Sequence, residues 1–187
     1  MRKPVISNVR PLKVAIEHVV ICKAELRSAE TFGEVSALAK GFLKYLSRPV
    51  VCEQIALVHK LGASSVEVQK VVLPGAQALG FISEKTGLFQ GSAVSALRPD
   101  YYAKVGESGI LLEVERGKTT TNNMDLLDFW KCHICEHAEY LFLLVPNERP
   151  SESGRVMRHF KQVQSRLGTF FTPRNYVNVE AVFLFGY

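Results

Sequence analysis

The sequence predicts an α/β fold with a mainly helical N-terminal segment, and three observations carry that prediction. From Ser95 onward, strand-like alternation and helix-like spacing succeed one another in the order β-β-α-β-α-β. Before that point, helical spacing dominates over strand alternation. The chain's 187 residues are 47% hydrophobic and 22% charged, enough for a sizeable core in one domain or two small ones. The change of pattern divides the sequence into a helical segment, 1–90, and an α/β core, 91–187.

Each element has its own warrant. Leu12 to Leu26 mixes β-branched and charged residues and reads as strand or helix. Thr31 to Leu46 is predicted helical: Thr31 and Glu34 have capping-box spacing, and Val35, Leu38, Phe42 and Leu46 fall on one face. Ser47-Arg48-Pro49 interrupts it. A second helix runs from Val50 to Leu61, and a third starts at Ser64 or Ser65 and stops near Pro74-Gly75. Leu79–Ile82 and Leu88–Phe89 flank the polar stretch Ser83-Glu84-Lys85-Thr86-Gly87, the pattern of a hairpin. Helices followed by a hairpin outline a winged helix; the same elements also suit the first helices and strand of the core itself.

In the core, Leu97 to Lys104 and Gly109 to Arg116 are predicted strands around a turn with two glycines. A helix follows over Met124 to Cys135, with Leu126, Leu127, Trp130 and Ile134 as its apolar stripe. Glu139 to Val145 is a buried strand. Arg155 to Leu167 is a helix on the spacing of Val156, Phe160, Val163 and Leu167, and Tyr176 to Phe185 is the closing strand.

The chemistry-bearing residues lie on the first two core strands. Arg98-Pro99-Asp100 is followed, thirteen residues after the aspartate, by Glu113-Val114-Glu115. Alternation puts Glu113 and Glu115 on one face of their strand. Two carboxylates there repel each other and lose hydration unless a cation or a proton holds them. Carboxylate oxygens converging in this way suit Mg²⁺, and acids on adjacent strands suit phosphodiester hydrolysis.

Pro99-Asp100 and Glu113-x-Glu115 resemble the PD and (D/E)xK elements of the PD-(D/E)xK nuclease superfamily, with Glu115 in place of the usual lysine, as in the ExE variant of some type II restriction enzymes. The wider stretch RPDYYAK…LLEVERGKT…MDLLDFW is similar to the nuclease-like domain of replication-relaxation proteins of mobile elements. The resemblance implies a restriction-endonuclease-like mixed sheet flanked by helices, and a DNA endonuclease dependent on Mg²⁺ or Mn²⁺, of a mobile-element or restriction type. It implies that Asp100 and Glu113 bind the ion, with Glu115 accepting a proton or binding a second ion. A nuclease-type core that has lost catalysis and only binds DNA is the alternative, and a protein-interaction module is a third.

Lys118, three residues past Glu115, is a candidate for the missing cation or an ordinary loop lysine. Arg116 points away from the acids on a regular strand. Glu67 or Glu53 are weaker candidates for an additional acid from a helix. Arg155, Arg158, Lys161 and Arg166, with His159 beside them, form the polar side of the last helix. The first three are candidate phosphate contacts, alternatively a solvated face.

Composition narrows the remaining classes. The net charge of +5 permits approach to polyanions without requiring it. No run approaches the roughly 18 apolar residues of a membrane span. The first residues, MRKPVISNVRPLK, lack an apolar signal region. The four cysteines are too few and uneven for a disulfide framework, so a reducing cytoplasm is expected. Cys132-x-x-Cys135 has the spacing of half a zinc site, but no second half follows. There is no P-loop, GxGxxG or GxSxG motif, which leaves nucleotide-dependent and serine-hydrolase chemistry without support. DNA, and a second copy of the chain in a homodimer, are the partners considered.

Overall fold

Two strands made wholly of apolar residues, YLFLLV and AVFLFG, dictate the architecture: strands buried on both faces must lie inside a sheet covered by helices. The computed structural model describes residues 15–60, 64–83, 87–91, 93–116, 119–150 and 156–187. Its six-stranded mixed sheet has the order β1 (Glu17–Cys22), β8 (Ala181–Gly186), β5 (Tyr140–Val145), β4 (Ser108–Val114), β3 (Tyr101–Val105), β2 (Ile82–Ser83). The central strands β8, β5 and β4 run parallel, and antiparallel pairs complete both edges. The chain is therefore α/β, and the predicted β-β-α-β-α-β succession is present as β3, β4, α4 (Met124–Ile134), β5, α5 (His159–Gly168) and β8.

Alternation along the central strands sorts side chains onto two helical layers. Ile110, Leu112, Val114, Phe142, Leu144, Phe183 and Phe185 pack with α1 (Ala29–Leu46), α2 (Pro49–Val58) and α3 (Ser65–Ala78). Leu111, Leu141, Leu143, Val182 and Leu184 face Phe129 and Cys132 of α4 and Phe160, Val163 and Leu167 of α5. Glu113 has the parity of Leu111, so it points at α4.

The structure corrects several boundaries. The stretch around residues 12–26, read as strand or helix, contributes β1. Helix α1 starts earlier than predicted: Ser28, not Thr31, is its cap, and its Oγ accepts the Thr31 N–H at 3.1 Å. Helix α3 continues through Pro74. The Tyr45 hydroxyl donates to the Val71 carbonyl there at 2.7 Å, and the Tyr45 ring packs so close to Gly75 that a Cβ would meet it at 2.2 Å. Strand β2 pairs with Tyr101–Tyr102 of β3 rather than with Leu88–Phe89, while Phe89 is buried under the α4–α5 layer; residues 84–86 of the expected hairpin tip lie outside the described residues. The last helix begins at His159, because Val156–Met157 (β7) pairs with Arg149–Pro150 (β6) as a small ribbon. The closing strand begins at Ala181, and Tyr176 is exposed. Among the described residues, no helix is long and apolar enough to cross a membrane.

Phe142 lies fully buried at the centre of β5, in ring contact with Phe42, Phe81, Phe183 and Phe185. Phe142→Ala should destabilise the fold by about 3–5 kcal/mol, measured by urea unfolding; a loss under about 1 kcal/mol would contradict this packing.

Candidate active site

The hairpin joining β3 to β4 sets the site. Register pairs Tyr101 with Leu112, which leaves Asp100 opposite Glu113, one step beyond the ladder. The two are tied reciprocally: the Val114 N–H donates to Asp100 Oδ2 at 2.8 Å, and the Asp100 N–H donates to Glu113 Oε2 at 3.3 Å. Asp100 also receives a side-chain hydrogen bond from Gln69 of α3. Glu115 extends the line of β4: its N–H donates to the Leu144 carbonyl at 2.8 Å, and its own carbonyl accepts the Tyr187 hydroxyl at 2.9 Å. The three predicted acids thus meet at the carboxyl end of β4.

Helix α4 brings two further groups that the sequence reading did not assign. Lys131 Nζ lies 2.6 Å from Glu113 Oε1 and 2.9 Å from Asp128 Oδ1. The side chains of Lys131, Glu113 and Asp128 are only 9%, 4% and 1% exposed. Asp128 also lies within hydrogen-bonding reach of the Glu115 carboxyl, a contact between two acids that needs a shared proton. Beyond these contacts, no aligned hydrogen-bond donor among the described residues reaches either oxygen of Asp128. The short Lys131 distances are those of ion pairs, whatever the alignment of individual N–H bonds.

Four carboxyl groups therefore surround one ammonium in a poorly hydrated space. Burial, then the Asp128 charge, pushes the Glu113 carboxyl well above its ordinary range. Burial, followed by Asp128 and Asp100, pushes Glu115 up to about 8. Burial raises Asp128 to about 6, against the opposing pull of Lys131. Burial also raises Asp100, while the Val114 N–H and Lys131 counteract it. For Lys131, burial favours the neutral amine, but Asp128 and Glu113 outweigh it and hold the ammonium charged. The cluster carries protons at neutral pH that a divalent cation would displace.

This arrangement rolls α4 against its predicted orientation. Of the expected stripe, Leu126 packs against the core, but Leu127, Trp130 and Ile134 are 42%, 52% and 37% exposed, while Asp125, Asp128, Lys131 and Cys132 are buried beside Phe129. Asp125 is held by Arg166 of α5 at 3.2 Å, and Arg166 also donates to the Thr120 carbonyl at 3.1 Å and to Asn123 Oδ1 at 2.6 Å. Arg166 is a clamp on the start of α4 rather than part of a free basic face. The signal for this was present as Asp125, Asp128 and Lys131 at i, i+3 and i+6, a charged stripe competing with the apolar one.

The other described candidates lie apart from the acids. Lys118 and Arg155 lie outside the described residues. Arg158 and Lys161 are 78% and 65% exposed, with Glu148 at 3.6 Å and Glu17 at 3.5 Å. Glu67 pairs with Lys70 at 2.9 Å, and Glu53 is exposed; Gln69, not Glu67, is the α3 side chain at the site. Arg116 is buried, near Tyr187. His133 Nδ1 accepts the Asn178 N–H at 3.0 Å, which gives that ring a structural partner. His159 is also buried, its Nδ1 3.2 Å from Thr120 Oγ1.

For Mg²⁺ or Mn²⁺, the donor set is chemically right: carboxylate oxygens, including buried ones without aligned protein donors. Among the described residues, no three such side chains stand gathered as a ready ligand set, and Lys131 bridges two of the acids. Two surface clefts lie away from the acids. One of about 340 Å³ lies between α2 and α3, and one of about 310 Å³ beside Phe170–Pro173. No protein-family model and no curated protein matches this chain.

Carboxyls with raised folded-state values hold protons that the unfolded chain, titrating near 4, has released. Stability from this cluster is therefore greatest at low pH and falls as pH rises through about 6 for Asp128 and about 8 for Glu115. Without divalent metal, the melting temperature should fall more steeply between pH 6 and 8 in the wild type than in Glu115→Gln. Parallel curves would contradict the burial of this acid.

Proposed function

We propose that the chain is a divalent-metal-dependent nuclease that hydrolyses phosphodiester bonds in DNA on a restriction-endonuclease-like core. The observation that carries this reading is the roll of α4, which buries Asp128 and Lys131 against Glu113 and leaves Leu127 and Trp130 facing water. Folding alone favours the opposite choice, since buried charges cost several kcal/mol each while exposed apolar side chains forgo their burial. Departures of this kind concentrate at functional sites.

In this reading Asp100 and Glu113 would hold Mg²⁺ or Mn²⁺. When bound, such an ion polarises a phosphate and lowers the pKa of a coordinated water. Asp100 is oriented for ligation by the Val114 N–H, and Glu113 by the Asp100 N–H. Lys131 supplies the positive charge that Glu115 cannot, from a helix rather than from the strand. The Glu115–Asp128 pair, sharing one proton, takes up or returns a proton near neutral pH. Arg158 and Lys161, well exposed on and beside α5, are available to DNA phosphates.

The competing reading is a catalytically inert nuclease-type core that binds DNA for a mobile element. It is favoured by the ion pairs that Lys131 already makes with Glu113 and Asp128.

Nicking of supercoiled plasmid separates the two. The wild type should nick in Mg²⁺ or Mn²⁺ and stop in EDTA, and Asp100→Asn and Glu113→Gln, with folding verified by circular dichroism, should each slow nicking about 100-fold or more. A folded wild type that binds plasmid without nicking it, or nicking undiminished in Glu113→Gln, would rule out the catalytic assignment.

A further inference from the structure

We propose that Lys131 is the built-in counter-ion of the acid site, and that a divalent cation takes Glu113 in exchange for it while the ammonium withdraws onto Asp128. The inference rests on the nuclease reading and assigns a residue to the regulation of its metal site. Glu113 divides its two oxygens: Oε2 accepts the Asp100 N–H at 3.3 Å, and Oε1 faces Lys131 Nζ at 2.6 Å. Oε1, which bears no backbone N–H, is the oxygen more open to a metal, and it is the one the lysine faces. A dication and an ammonium on one carboxylate oxygen repel strongly in a site so little exposed to water. That repulsion drives the ammonium off Glu113 as the dication binds.

The fold provides the ammonium with somewhere to go. Asp128 and Lys131 lie three residues apart on α4, with Nζ 2.9 Å from Oδ1, so this pair belongs to one helix and survives loss of the Glu113 contact. Withdrawal onto Asp128 avoids an unpaired buried charge, the costly outcome when a buried ion pair is simply broken. Glu113, for its part, exchanges a monovalent partner for a divalent one without passing through an uncompensated state. Asp128 therefore acts as the lysine's anchor. In the absence of metal, the same ammonium keeps Glu113 from repelling its neighbours.

The test measures metal binding rather than turnover. Mn²⁺ is titrated into the full chain at pH 8, with free Mn²⁺ read by electron paramagnetic resonance. Lys131→Gln should bind about tenfold tighter than the wild type or better, because a competing positive charge is gone. Lys131→Arg keeps the charge and should bind like the wild type, and Glu113→Gln should lose binding. A second measurement needs only the native sequence. With ¹³C-labelled lysine, the Lys131 Cε resonance, assigned by its loss in Lys131→Arg, should shift as Mg²⁺ is added and saturate with binding. Equal Mn²⁺ affinity for wild type and Lys131→Gln, or Mg²⁺ binding that leaves the Lys131 resonance unmoved, would overturn the exchange and leave the nuclease reading standing. No binding by either protein would overturn both.

Discussion

The ammonium of Lys131 is the interaction on which the rest of this structure depends. It lies between Glu113 of β4 and Asp128 of α4, and all three side chains are almost completely removed from water. Removing one partner of such a set leaves an uncompensated buried charge, typically a loss of about 3–5 kcal/mol. The ion pairs therefore fix the rotation of α4 about its own axis, and with it the inward positions of Phe129 and Cys132 against Leu111 and Leu143. The start of the same helix is fixed independently, by Arg166 gripping Asp125, Thr120 and Asn123. Two separate charge contacts set one helix, and neither arises from its apolar pattern.

The sheet distributes its two faces unequally. The face under α1, α2 and α3 is packed by the rings of Phe42, Phe142, Phe183 and Phe185. The face under α4 and α5 is apolar over β5 and β8 and turns acidic at the carboxyl end of β4. Ligand sites in open α/β sheets favour the carboxyl ends of their strands, where backbone ladders finish and helices begin. Asp100 reaches that end from the antiparallel neighbour β3, so a single hairpin brings acids thirteen residues apart close enough for the Asp100 N–H to donate to Glu113.

The core succession of strands and helices was legible because its apolar runs are long and their alternation is clean, as in Tyr140–Val145 and Ala181–Gly186. Glu113 and Glu115 were legible as a pair because strand alternation places them on one face, and Asp100 joined them through the resemblance carried by Pro99-Asp100. Asp128 and Lys131 were not. Helical periodicity favoured Leu127, Trp130 and Ile134 as the inner stripe, and the contacts of Lys131 with Glu113 and of Arg166 with Asp125 reverse that preference. The pairing of β2 was hidden for a different reason: a two-residue strand has too little pattern to declare its partner, and Ile82–Ser83 joins β3 across a long connection. Arg166 read as surface charge because a helix face shows nothing of the buried aspartate lying opposite it.

The central claim is that these acids form a divalent-cation site, and crystals soaked in Mn²⁺ and measured at the manganese absorption edge test it most directly. The account predicts an anomalous peak within coordination distance of both Asp100 and Glu113, with Lys131 withdrawn from Glu113 Oε1 and still paired to Asp128. A map with no peak at millimolar Mn²⁺, and Lys131 still bridging Glu113 and Asp128, would contradict it.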